Sequence, residues 1–117
     1  MLVNLRAQDS GRELGDALLD QRIVAGIGNM WKAEALFAAG ISPWRPLAEL
    51  DDDELRGVLA AAAALMRSGR RRHRVYRRSG RPCGSCGTRI RSFPQGDDAR
   101  MAYWCPGCQA GTSPAGA

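Results

Sequence analysis

Two Cys-x-x-Cys pairs, Cys83-Gly84-Ser85-Cys86 and Cys105-Pro106-Gly107-Cys108, hold every cysteine of this 117-residue chain. They constrain its fold more than any other feature. Two thiolates three positions apart chelate one metal ion from a tight turn, and Gly84, Gly87 and Gly107 give those turns backbone freedom. Four thiolates satisfy a tetrahedral zinc ion and leave no open position, so a site of this kind is structural and not catalytic. An iron–sulfur cluster or two disulfides are the competing readings of the same spacing. The eighteen residues between the pairs fit a hairpin: Thr88 to Phe93 outgoing, Pro94 to Asp98 turning, Ala99 to Trp104 returning. Two strands are marginal alone, so one structural zinc takes the place of a core and its binding free energy becomes folding free energy. Zinc pins the base of that finger and leaves the far end, near Arg100, to project. Arg89 and Arg91 alternate along the outgoing strand.

Charge is strongly polarised. Residues 1–66 hold six bases against ten acids, whereas residues 67–117 hold eleven arginines against Asp97 and Asp98. From Arg67 to Gly96 there are ten arginines and no acid. A basic half of this density points to a polyanion, and an arginine near the tip of a stiff finger suits phosphate contact. Met1 to Arg6 contains no apolar leader, and Val58 to Met66 is too short to span a membrane. The chain is therefore expected to be cytosolic and reduced, with no membrane partner. In that setting clustered thiols serve metals more often than disulfides.

The first half reads as helical. Ser10-Gly11-Arg12-Glu13 is a capping-box pattern that opens a short helix with Leu14, Ala17 and Leu18 on one face, fading near Asp20. Asn29 stands where an N-cap would stand. A helix follows from Met30 to Ala39, closed by Gly40 with Pro43 beyond. Asp51 and Glu54 cap a third helix, expected to run through Leu55, Val58, Leu59, Ala62, Leu65 and Met66 to about Arg67, with Ser68-Gly69 ending it. Residues 14–66 should then form their own small core, separate from the finger. Arg70 to Arg81 reads as a basic connector, partly extended around Val75-Tyr76.

Gly26-Ile27-Gly28-Asn29 opens the central helix after an apolar turn. Glycines let backbone N–H groups approach an oxyanion, and the helix end adds positive potential. Alone, most such turns merely cap a helix.

Taken together, LLDQRIVAGIGNMWKAEALF (Leu18 to Phe37), VYRRSGRPCGSCGTRI and ARMAYWCPGCQ resemble the formamidopyrimidine-DNA glycosylase/endonuclease VIII family over roughly residues 15–109. The resemblance implies a mostly α fold with a small β-hairpin: a helix–two-turn–helix DNA-binding domain at 10–68, a connector at 69–81, a zinc-finger hairpin at 82–109 on Cys83, Cys86, Cys105 and Cys108, and a disordered tail at 110–117. It further implies that Asn29, Gly28 and, less directly, Arg22 contact the DNA backbone. Arg100 would be the finger arginine at the phosphates beside the lesion, with a catalytic share in δ-elimination. Double-stranded DNA with damaged or abasic sites is the implied partner, gripped by a monomer.

The family's nucleophile, an N-terminal proline followed by glutamate, has no match here, since Leu2 and Val3 stand in those places. The chain is thus expected to act as the DNA-binding half of a bifunctional glycosylase/AP lyase and to be inactive alone. A free-standing DNA-binding module and a basic protein-interaction domain are the alternatives. Two departures touch the DNA side: the glycine of the family's Val-Tyr-Gly-Arg is Arg77, and a usual threonine is Ala102. Lys32 is expected to be a solvated helical lysine, and His73 a surface residue. Glu34 and Lys32 are too close in sequence to form an i,i+4 pair. Trp31, Trp44 and Trp104 are expected to serve packing.

Overall fold

The computed structural model describes residues 11–19, 28–69, 73–96, 100–109 and Pro114. Within them run α1 (Leu14–Leu19), α2 (Asn29–Ala39), a 3-10 turn (Leu47–Glu49), α3 (Asp52–Ser68), β1 (Arg91–Gln95) and β2 (Arg100–Trp104). Ser10, Arg22, Gly26, the connector residues 70–72, the hairpin-turn residues 97–99 and all of the 110–117 tail but Pro114 lie outside the described residues, along with the expectations that concern them.

Helix α1 buries Leu14, Ala17 and Leu18, the face its sequence sets aside. Its first free donors go to a loop: Leu14 N–H to the Arg45 carbonyl and Gly15 N–H to the Pro43 carbonyl, each at 2.9 Å. This satisfies groups that would otherwise be orphaned at a helix start.

Helix α2 is capped by Gly28, and Asn29 is its first helical residue, not its cap. As the first helical residue, Asn29 is not placed to cap, and its amide Nδ2 donates to the Met101 carbonyl. The helix ends as expected on Gly40, whose backbone is left-handed (φ 72°). Gly40 N–H donates to the Phe37 carbonyl and Ile41 N–H to the Leu36 carbonyl, both at 3.1 Å. Buried Leu36 and Ile41 belong to one apolar cluster beneath this stop, which completes the Schellman arrangement.

Helix α3 carries the full capping box: Glu54 N–H to Asp51 Oδ1 at 2.7 Å and Asp51 N–H to Glu54 Oε1 at 3.1 Å. It stops at Gly69 (φ 64°). Leu55, Val58 and Ala62 face α2 and complete a core with Leu14, Leu18, Leu36, Leu47 and Leu50. Each such leucine contributes about 1.5–3 kcal/mol by leaving water.

The hairpin departs from expectation in register. Strand β1 pairs antiparallel with β2 from Arg91↔Trp104 to Gln95↔Arg100, so the outgoing strand lies about three residues later than Thr88 to Phe93. The reason is competition. Cys83 N–H donates to the Thr88 carbonyl, Ile90 N–H to Arg81 and Gly80 N–H to Ile90, at 2.8–2.9 Å. The stretch 88–90 therefore pairs back onto 80–83 and not onto β2. Pro94 is tolerated in the strand because a two-stranded ribbon has only outer edges.

The connector is turned, not extended, near Val75. Arg78 N–H reaches the Val75 carbonyl and Arg81 N–H the Arg78 carbonyl, both at 3.0 Å. What turns it is Glu34, whose buried carboxylate accepts the N–H groups of Arg74 (2.8 Å), Val75 (2.9 Å) and Tyr76 (2.9 Å).

The helices have the core of their own that the sequence sets out, and two further clusters join them to the hairpin. Ala33 of α2 packs with Val75, Cys83, Ile90 and Cys105. Trp44 packs with Ala102 and Trp104, its ring edge-on to Trp104 at 5.4 Å. Gln95 Nε2 donates to the Pro43 carbonyl (2.9 Å) and Gln109 Nε2 to the Ile41 carbonyl (3.0 Å). A Cβ at Gly15 would collide with the Gln95 side chain, and one at Gly96 with the Asp16 carboxylate. The hairpin is thus seated on α1, α2 and the loop between α2 and α3.

Candidate nucleic-acid interface and metal centre

The four cysteines converge. Their sulfur atoms all lie within 4.8 Å of one another, with Cys83 Sγ 3.8 Å from Cys108 Sγ and Cys86 Sγ 3.4 Å from Cys105 Sγ. A tetrahedral ion with metal–sulfur bonds of about 2.3 Å sets sulfurs roughly 3.8 Å apart, so the cluster fits such an ion. Ser85 N–H points at Cys83 Sγ and Cys108 N–H at Cys105 Sγ, both at 3.4 Å. Such bonds orient and stabilise metal-bound thiolates. The thiols differ in acidity. Hydrogen bonds with Thr88 draw Cys86 down to about 6. Desolvation, then the neighbouring sulfurs, push Cys108 up to about 12. Four like charges do not form side by side unaided, and a bound cation lets all of them ionise.

Geometry unites two residues far apart in sequence. Asn29 Nδ2 donates to the Met101 carbonyl at 3.0 Å, next to Arg100 at the start of β2. One amide N–H is consumed by that bond and a second remains. Gly28 and Asn29 form the N-terminus of an eleven-residue helix, where backbone donors and positive potential favour an anion. Arg100 is exposed at the turn end of the hairpin. The result is an amide, a helix end and a guanidinium brought to one region.

Other arginines are committed to the fold. The Arg91 guanidinium lies over the Trp104 ring (5.3 Å), and Arg74 lies over Phe37 (5.1 Å). Arg89 Nη1 donates to the Gly80 carbonyl at 2.8 Å. Arg77, where the family has glycine, takes the left-handed conformation (φ 58°) and lies over Tyr76 at 5.2 Å. The substitution thus leaves a glycine-like backbone in place. Ala102 is buried beside Trp44 and Trp104.

Lys32 overturns its expectation. It is 1% exposed, and Nζ has no hydrogen-bond partner among the described residues. Desolvation lowers its pKa to about 8; Asp16 pulls it up and Arg100 pushes it further down. Glu34, too, is a buried anchor. The signal for both is α2 itself: Met30 to Ala39 holds almost nothing polar, and a helix apolar all round is enclosed on all sides. Its two charges are buried with it. Gln95 and Gln109, which seat the hairpin, carry no sequence signal, because only the tertiary arrangement tells them from surface glutamines.

The family profile described as the formamidopyrimidine-DNA glycosylase H2TH domain matches residues 2–76. Probable endonuclease 8 2 of Streptomyces coelicolor is 45% identical over 97% of this chain and 46% of its own length. The DNA-(apurinic or apyrimidinic site) lyase Nei2 of Mycolicibacterium smegmatis is 40% identical over 88% of this chain and 45% of its own. This chain spans about half the length of those curated relatives. The crystal structure of the MutM (Fpg) protein of Thermus thermophilus superposes with a TM-score of 0.80 at 31% identity, over 96% of this chain and 49% of that one. A Lactococcus lactis Fpg solved with abasic-site DNA superposes at 0.81 with 23% identity, over 94% of this chain and 46% of that one, a likeness of fold. The profile match over residues 2–76 and the 45% and 40% identity to these relatives make the chain a member of the formamidopyrimidine-DNA glycosylase/endonuclease VIII family.

Proposed function

We propose that this chain grips duplex DNA at damaged or abasic sites in base excision repair, as the DNA-binding half of a bifunctional glycosylase/AP lyase. The observation that supports this best is the Asn29–Met101 bond. It ties the helix that would cradle one phosphate to the strand that presents Arg100. The second Asn29 N–H and the α2 end, with Gly28 allowing close approach, would hold one phosphodiester. Arg100 would hold the neighbouring one and, where the relatives' full machinery is present, favour departure of the phosphate on the 5′ side of the sugar in δ-elimination. Arg22, ahead of the glycine turn, would add a backbone contact.

Zinc fits the four-sulfur cluster and would supply a rigid tetrahedral closure, with no open position for chemistry. Cys83, Cys86, Cys105 and Cys108 would hold it, and their part is to fix the hairpin that aims Arg100. A stand-alone module that binds DNA without chemistry is the second reading, and it shares all of these contacts. No helix among the described residues is long and apolar enough to cross a membrane.

Fluorescence anisotropy with a labelled duplex carrying a tetrahydrofuran abasic analogue tests the proposal. Binding should fall steeply as salt rises, because arginine–phosphate contacts release counterions. Arg100→Ala and Asn29→Ala should each weaken it about tenfold, a loss of about 1.4 kcal/mol, while Arg56→Ala, on exposed α3 surface, should change it less than about twofold. Equal effects from all three would mean diffuse attraction and would remove the assigned site.

A further inference from the structure

Lys32 is interior, its Nζ has no hydrogen-bond partner among the described residues, and the DNA grip proposed so far makes no use of it. It lies in the first turn of α2, three residues after Asn29, so the two share a helix face. Burying an ammonium without a partner is costly, and a methionine of similar length would avoid that cost. Asp16, the carboxylate acting on it, is already engaged: Arg12 Nε lies 3.0 Å from its Oδ2, and its other side abuts Gly96. Arg100 adds a like charge from the hairpin. Among the described residues Asp16 is thus shared with Arg12 and Arg100 acts against the ammonium, so an anion from outside would complete the site. A lysine stem has four rotatable carbons, so Nζ can swing toward the α2 end where Asn29 lies.

We propose that Lys32 is a third phosphate-binding residue of the Asn29–Arg100 site, kept unpaired in the free protein so that a DNA phosphodiester supplies its counter-charge. The inference rests on the DNA-binding reading above.

Lys32 is the chain's only lysine, which permits a direct test without mutation. Protein labelled with 15N at lysine Nζ gives one side-chain signal. Saturation with the abasic-analogue duplex should shift that signal and slow its exchange with water. Alongside, Lys32→Met should bind the same duplex about tenfold more weakly, with the slope of log affinity against log salt shallower by about one. Its melting temperature should be equal to or above that of the original chain, since the unpaired charge is gone. An unmoved lysine signal at saturation, or Lys32→Met binding with unchanged affinity and slope, overturns the inference. If Asn29→Ala and Arg100→Ala still weaken binding in that case, the DNA-binding reading stands and only Lys32 loses its role. If the folded chain binds no duplex at all, both fall together.

Discussion

At Lys32 the linkage between protonation and folding has a definite sign. The amine's pKa is lowered from 10.5 to about 8 in the fold. Below pH 8 both folded and unfolded chains are protonated, and the fold bears the full cost of the buried charge. Between pH 8 and 10.5 the native state has released its proton while the unfolded chain still holds one, so stability rises with pH. The gain approaches about 3 kcal/mol once both states are neutral. Denaturant unfolding of the original chain and of Lys32→Met, compared across about pH 7 to 10, should show this rise in the difference between the two proteins. A difference independent of pH would mean that the amine titrates normally. Arg77 carries strain of another kind. Its side chain sits on a left-handed backbone, which costs an L-residue about 1 kcal/mol that glycine avoids. Arg77→Gly should therefore be more stable than Arg77→Ala by about 1 kcal/mol, both variants having lost the guanidinium over Tyr76. Equal stabilities would show that the chain relaxes out of that conformation.

Between elements, the hairpin and the helices hold each other. Asn29 on Met101, Gln95 on Pro43 and Gln109 on Ile41 all cross from one half to the other, and the Trp44–Trp104 contact lies between them. Stripping the metal with a strong chelator, or Cys105→Ser, should unfold the segment after Arg81, because two strands do not stand alone. The core of α1, α2 and α3 has its own apolar cluster and should keep most of its helical circular dichroism. Tryptophan emission should shift to the red as Trp44 and Trp104 meet water, and DNA binding should fall with it. Emission that stays unchanged after metal removal would mean that the hairpin is held without the cluster. What was legible in advance follows the same division. The Asp51–Glu54 box, the Gly40 and Gly69 stops and the cysteine clamp are local patterns, in which a few neighbouring residues decide the outcome. The register of β1 and the turned connector were not legible, because each depends on a distant partner, and the burial of Lys32 and Glu34 was signalled only by the apolar run of α2. Residues 80–83 compete for 88–90, Glu34 gathers the N–H groups of 74–76, and the enclosure of α2 requires the hairpin to be in place.

At the scale of the whole molecule, the proposed function requires Asn29 and Arg100 to act as one site, although 71 positions separate them in the sequence. In the proposed grip the cysteine clamp sets the hairpin, the hairpin sets Met101 against Asn29, and the α2 end and Arg100 would then meet the DNA backbone together. Residues joined in this way couple energetically, whereas independent surface charges add. The direct test is a double-mutant cycle of Asn29→Ala and Arg100→Ala, with affinity for the abasic-analogue duplex measured by anisotropy at fixed salt. The double variant should lose clearly less than the sum of the two single losses, with a coupling of about 0.5–1 kcal/mol, since either change alone already spoils the shared site. Losses that add within about 0.3 kcal/mol would contradict a shared site and leave two unrelated contacts on a basic surface.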